Sequence, residues 1–169
     1  MGELAVSAAP DEELVSMGLG SCVGVALIDR ERAVAGLAHV MLPVANAAYS
    51  APAKFADRAV PSLLAGVERL GARRPAIVAV LAGGAQMFGG DRAAARVAGL
   101  DLGARNEAAV RAALADAGIP VRATATGGGR GRTVRVLVGE AAITVKEAGG
   151  VELPLWRPGV AADDLVEIS

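Results

Sequence analysis

Residues 22–42 read CVGVALIDRERAVAGLAHVML. Two apolar runs, Cys22 to Ile28 and Ala33 to Leu42, flank the polar quartet Asp29-Arg30-Glu31-Arg32. Two apolar runs split by a short polar segment predict a β-hairpin, although the loop lacks the Asn-Gly of the tightest turns. Asp29 is suited to open a type I turn. A turn centred between Arg30 and Glu31 puts Cys22 directly across from His39, on one face of the sheet, with Cβ atoms ~4.5–5.5 Å apart. Gly24, Ala26, Ala35 and Leu37 share that face and leave room for a substrate group, while Val23, Val25, Leu27, Val34 and Val40 suit a core on the other.

Working outward, Leu14 to Met17 reads as a short strand ended by Gly18-Leu19-Gly20-Ser21. Asn46 to Lys54 is loop-like. Phe55, Ala59, Val60, Leu63, Leu64, Val67 and Leu70 then follow helical spacing. Pro61 either kinks that helix or sits in its first turn, and a start close to Pro61 is favoured. Ile77 to Leu81 is a buried strand broken by Gly83-Gly84, and Met87 to Gly99 is a loop or a short helix. Ala104 to Ala117 is a helix closed by Gly118. Ile119 to Ala125 is a strand, residues 126–131 a glycine loop, and Thr133 to Val138 with Ala142 to Lys146 a second hairpin. The tail after Gly149 carries one apolar patch, Leu153 to Trp156, and reads as peripheral. Repeated hairpins beside two substantial helices predict a mixed α/β domain rather than a purely parallel sheet.

The chain of 169 residues fits one domain, with a core at about 14–150. Hydrophobic residues make up 53 %, which argues against disorder, and aromatics only 2 %, so Ala, Val, Leu and Ile must fill the core. A formal net charge of −1, with acidic and basic residues interspersed, gives no electrostatic case for nucleic acid. No apolar run approaches the ~20 residues of a membrane span, and no basic signal region opens the chain, so a cytoplasmic protein without membrane insertion is expected.

There is one cysteine and one histidine. They form neither an internal disulfide nor a structural zinc site, and no metal or cofactor is expected. Placed together they can do amide chemistry: the thiolate attacks a carbonyl, and the imidazole serves as base and acid. Backbone N–H groups of Gly20-Ser21-Cys22 are candidates for holding the oxyanion. Ser16 on the preceding strand is the first choice to orient the ring, with Ser21 second. The pattern alone leaves open an inert buried cysteine near a histidine by chance.

Leu19-Gly20-Ser21-Cys22-Val23 followed by Ala38-His39-Val40-Met41-Leu42-Pro43 resembles the CheD family of chemoreceptor glutamine deamidases. The resemblance continues through Lys54-Phe55-Ala56-Asp57, Ala82-Gly83-Gly84-Ala85-Gln86-Met87-Phe88, Gly103-Ala104-Arg105-Asn106 and Thr126-Gly127-Gly128-Gly129-Arg130, in family order. It implies an α/β sandwich similar to bacterial toxin deamidases and a Cys–His–Thr triad, matched here by Cys22 and His39, with Ser16 in place of Thr. It also implies a hydrolase converting glutamine of methyl-accepting chemotaxis receptors to glutamate, and methylesterase activity in some members. Gly83 and Gly84 read as turn glycines near the pocket. Gln86-Met87-Phe88 could form a partner surface, with Phe88 equally suited to core; Arg130 and Arg132 read as a solvated loop or a phosphate site, and Arg105 and Asn106 as helix caps. The alternative is a binding module engaging CheC phosphatase or receptors with little catalysis. A weaker one is a thiol amidase acting on small molecules.

Overall fold

The computed structural model describes residues 2–45, 51–86 and 101–160. Two sheets and two α-helices form three layers. The first sheet holds β1 (Leu4–Ser7), β3 (Val23–Asp29), β4 (Val34–Val40), β5 (Ile77–Gly83) and β6 (Val121–Thr126), in the order β1-β4-β3-β5-β6. Only β5 and β6 run parallel. The second is wholly antiparallel, with β2 (Glu13–Leu19), β7 (Arg132–Leu137), β8 (Ala142–Glu147) and β9 (Glu152–Trp156) in the order β2-β7-β8-β9. Helices α1 (Ala56–Arg69) and α2 (Leu102–Asp116) cover one face of the first sheet, and the second sheet covers the other.

Burial on both faces explains why β3 and β4 show no exposed alternation. Val23, Val25, Leu27, Val34 and Val40 meet Leu63, Leu64 and Val67 of α1 and Val110 and Leu114 of α2. The other face, with Ala26, Ile28, Ala35 and Leu37, meets Leu14, Leu19, Val134 and Val136 of the second sheet. Its small residues therefore admit a second sheet, not a substrate as the sequence reading expected. A Cβ on Gly24 would stand 2.9 Å from Leu19 Cδ1 and 3.1 Å from Val134 Cγ1.

The hairpin register differs from expectation. Gly24, not Cys22, stands opposite His39, and the pairing closes at Asp29↔Val34. Asp29 stays in the strand, fully buried, because its carboxylate is satisfied by three backbone amides. Oδ1 accepts from Glu31 (2.8 Å) and Arg32 (3.2 Å), and Oδ2 from Arg73 (2.7 Å). The turn thus moves to Arg30–Ala33, closed by Ala33 at φ 51°. The shift is two residues, so the shared face of Cys22 and His39 survives.

Three further differences have local causes. Helix α1 begins at Ala56, well before Pro61. Pro61 lies on its exposed side, where the Asp57 carbonyl that loses a donor can be hydrated. Strand β1 is too short at four residues for its alternation to show in sequence. Leu153 to Trp156, read as peripheral, instead sits within β9 and pairs with β8, burying Leu155 and Trp156 in the second core. Met87 to Gly99 and Asn46 to Ser50 lie outside the described residues.

Candidate active site

Strand β2 supplies the first component. Its pairing with β7 runs Ser16↔Val134 and then Leu19↔Arg132, so an extra residue is accommodated between them. Gly18 takes the required positive φ of 68°. The bulge resets the alternation: Leu14, Ser16 and Leu19 all face inward while Met17 and Gly18 face out. Ser16 of the second sheet then meets His39 of the first across the layer boundary, Oγ to Nδ1 at 3.1 Å. Each residue is 7 % exposed. The other ring nitrogen, Nε2, is buried and has no hydrogen-bond partner among the described residues.

Cys22 lies where the chain crosses from β2 into β3, half-buried and flanking the second core. By register it is a diagonal neighbour of His39 on the same face. The structure brings Ser16 and His39 into contact and sets Cys22 beside them without a hydrogen bond from Sγ to Nε2. Burial pushes the Cys22 thiol up from its ordinary value. Burial likewise pushes the His39 imidazole down, with Glu3 acting weakly the other way. Both shifts favour the uncharged thiol and imidazole over the ion pair that would lower the thiol pKa.

The turn bearing Cys22 is held by its carbonyls. Gly20 O accepts from Ala85 N (2.7 Å), Cys22 O from Gly84 N (2.8 Å), and Ser21 O from Asn106 Nδ2 (2.9 Å). Gly83 and Gly84 adopt φ of 104° and 63° at the end of β5. A Cβ on Gly83 would lie 2.3 Å from Cys22 O, so only glycine permits this approach. The two glycines brace the backbone beneath the cysteine, and the N–H of Gly84 is already used there. Gly20 and Ser21 lie in the turn itself.

Asn106 was read as a helix cap. Asp101 does that work, its Oδ1 accepting from Ala104 N (3.0 Å), while Asn106 is fully buried and bridges Ser21 O and Met41 O, both at 2.9 Å. No sequence signal short of the fold distinguishes the two roles. Arg132 is neither solvated nor a phosphate site. It is 2 % exposed, pairs with Glu147 (2.8 Å) and donates to Gly127 O (2.6 Å). Arg130 is exposed. Met87 and Phe88 lie outside the described residues.

A cavity of ≈ 310 Å³ opens between β1 and β2 and reaches Ser16 and His39, walled by Glu3, Leu4, Leu14 and Met17; Cys22 does not line it. A larger groove of ≈ 570 Å³ lies between α1 and α2, on the other side of the first sheet, and contains neither Cys22 nor His39. Among the described residues, no group of three or more His, Cys, Asp or Glu is placed to hold a metal ion. No described helix is long and apolar enough to cross a membrane.

The CheD family model, described as CheD chemotactic sensory transduction, matches residues 41–147. That span starts beyond Ser16, Cys22 and His39, so it bears on the family and not on these three. The chain is 39 % identical over 145 residues to the probable chemoreceptor glutamine deamidase CheD of Clostridium novyi (strain NT), covering 84 % of this chain and 87 % of the relative. It is 39 % identical over 153 residues to the protein of the same name from Methanococcus vannielii, covering 90 % and 95 %. It is 39 % identical over 152 residues to the chemoreceptor glutamine deamidase CheD of Thermotoga maritima, covering 90 % and 92 %. A family match over more than half the chain, with relatives aligned along most of their own length, establishes that the chain belongs to the CheD family.

Proposed function

We propose that this protein deamidates glutamine side chains of methyl-accepting chemotaxis receptors, with Cys22 as nucleophile, His39 as base and Ser16 as the group that orients the ring. The observation that carries the reading is the buried Ser16 Oγ–His39 Nδ1 hydrogen bond beside a half-exposed cysteine. It is supported by relatives named chemoreceptor glutamine deamidase.

Burial favours the uncharged thiol and imidazole, so proton transfer accompanies attack. Nδ1–H donates to Ser16 Oγ, which leaves the Nε2 lone pair free. As Sγ bonds to the glutamine Cδ, Nε2 takes the thiol proton. The carbonyl oxygen becomes an oxyanion, received by the backbone N–H groups of Ser21 and Cys22, since the Gly20 N–H is given to Gly18 O (2.9 Å), with Gly83 and Gly84 holding that turn in place. His39 returns the proton to the amide nitrogen, ammonia leaves, and a thioester remains on Cys22. Water, deprotonated by Nε2, then attacks the thioester, releasing glutamate and restoring the thiol. A glutamyl methyl ester would follow the same path with methanol leaving.

A second reading has one observation behind it: Sγ and Nε2 are not hydrogen-bonded. On that reading the chain is chiefly a binding module for receptors or CheC phosphatase. Incubation with receptor cytoplasmic fragments and mass spectrometry decides between them. The enzyme reading expects glutamine converted to glutamate by the wild type and not by Cys22→Ala. Equal inactivity of the two, with CheC or receptor binding intact, would refute it.

A further inference from the structure

Resting on the proposed chemistry, we infer that Asn106 is a positioning residue for the reaction: its side-chain amide fixes the Ser21–Cys22 peptide so that the Cys22 N–H faces the developing oxyanion. Asn106 is fully buried in α2, and its Oδ1 has no partner among the described residues, which is costly in an apolar setting. The helix does not need it, since Asp101 caps the N-terminus. What it does is give both amide protons to two carbonyls, Ser21 O and Met41 O, each at 2.9 Å. The reverse orientation of the amide would set an oxygen against two oxygens, so the donor assignment is fixed by chemistry.

These two carbonyls lie at one end of the β3–β4 hairpin, where the chain enters β3 at Cys22 and leaves β4 beyond His39. Asn106 therefore ties the cysteine turn to the end of the histidine strand. The helix is placed for this by backbone contact: a Cβ on Gly103 would sit 2.3 Å from Gly84 O, so α2 packs directly on the glycine turn that also donates to Cys22 O. Asn106, three residues on, shares that helical face.

A trans peptide directs its C=O and N–H to opposite sides. With Ser21 O turned inward to Asn106, the N–H of Cys22 points away from α2. With Gly20 O turned to Ala85 N, the N–H of Ser21 points away from Ala85. The amides of Ser21 and Cys22 thus face opposite to their own carbonyl contacts, two successive donors at the nucleophile's place in the chain, as an oxyanion site requires. Asn106 sets the orientation of the amide that belongs to the nucleophile itself.

Asn106→Ala separates this role from a purely structural one. The experiment measures kcat and KM for glutamine conversion in receptor fragments, the rate of Cys22 alkylation by iodoacetamide, and the thermal midpoint. Alkylation passes through no oxyanion, so it reads only the thiol. The expected result is a kcat about ten- to hundredfold lower, milder than the ~10²–10³ of deleting an oxyanion donor outright, with KM and the alkylation rate unchanged. A folded variant with unaltered kcat, or alkylation falling in step with kcat, would overturn the inference. Should Asn106→Ala fail to fold, Asn106→Ser, which donates one hydrogen bond instead of two, gives the same readouts. In the wild type, the Cys22 amide proton should exchange rapidly with deuterium; protection as strong as that of the β3 ladder would also overturn the inference. The alkylation and exchange readouts need no substrate. Failure of the parent reading shows instead as a wild type as inactive as Cys22→Ala, or as deamidation retained by Cys22→Ala.

Discussion

Replacing Ser16 by alanine removes the hydrogen bond from Oγ to His39 Nδ1, a 3.1 Å contact between two residues that are each 7 % exposed. Both residues are buried, so a ring nitrogen left without a partner of fixed geometry costs about 1–3 kcal/mol, the lower end applying where water from the adjoining cavity reaches it. Part of that cost appears as lost stability. The rest appears in catalysis, because the same bond selects the tautomer whose Nε2 is free to take a proton and holds the ring at that angle. If about 1–2 kcal/mol of the lost interaction comes out of the barrier, kcat falls about 5- to 30-fold with KM unchanged. Ser16→Thr supplies the comparison. It keeps the hydroxyl and narrows the choice of χ1, and the adjoining cavity of ≈ 310 Å³ gives its methyl group space. Its activity should equal or exceed that of wild type. The assay is glutamine conversion in receptor fragments followed by mass spectrometry, with ring nitrogen shifts by NMR reporting the tautomer. A Ser16→Ala enzyme with wild-type kcat and unchanged ring shifts would refute the assigned role.

Alkylation of Cys22 should accelerate steadily with pH into the alkaline range and show no plateau below neutrality, because burial raises its pKa; a plateau at acid pH would reveal a thiolate–imidazolium pair instead. His39 titrates lower when folded than its ordinary pKa of about 6.5. The unfolded chain therefore binds the proton first, and this contribution to stability is complete above pH 6.5 and lost as pH falls through the folded value. Denaturant unfolding should show wild type losing stability relative to His39→Gln over that window, and a parallel pair of curves would contradict it. Gly83→Ala, with its Cβ placed 2.3 Å from Cys22 O and its φ at 104°, should displace the cysteine turn and depress activity by more than its drop in thermal midpoint explains; wild-type turnover would show that the turn tolerates the shift.

The hairpin that brings Cys22 and His39 to one face could be read from residues 22–42, because polarity marks a turn clearly. Its register could not, because the capping power of Asp29 depends on Arg73, 44 residues away. Ser16 can be proposed as the orienting group from its place on the preceding strand, yet the bulge at Met17-Gly18 that keeps it and Leu19 both inward is a property of pairing with β7. Gly83 and Gly84 were visible as turn glycines, but their contact with Cys22 O is set by β3–β5 pairing. Asn106 was least legible of all. An asparagine near a helix start has the composition of a cap, and only the packing of α2 against Gly84 turns it toward Ser21 and Met41. What the residues reveal is local; what escaped is decided by partners distant along the chain.

The most direct test is to quench a reaction with glutamine-bearing receptor fragments in acid and weigh the intact protein. Accumulation of a fragment bound at Cys22, less one ammonia, and its disappearance as glutamate forms, is the expected result. Glutamate appearing at full rate with no such adduct, and equally in Cys22→Ala, would contradict a cysteine mechanism altogether.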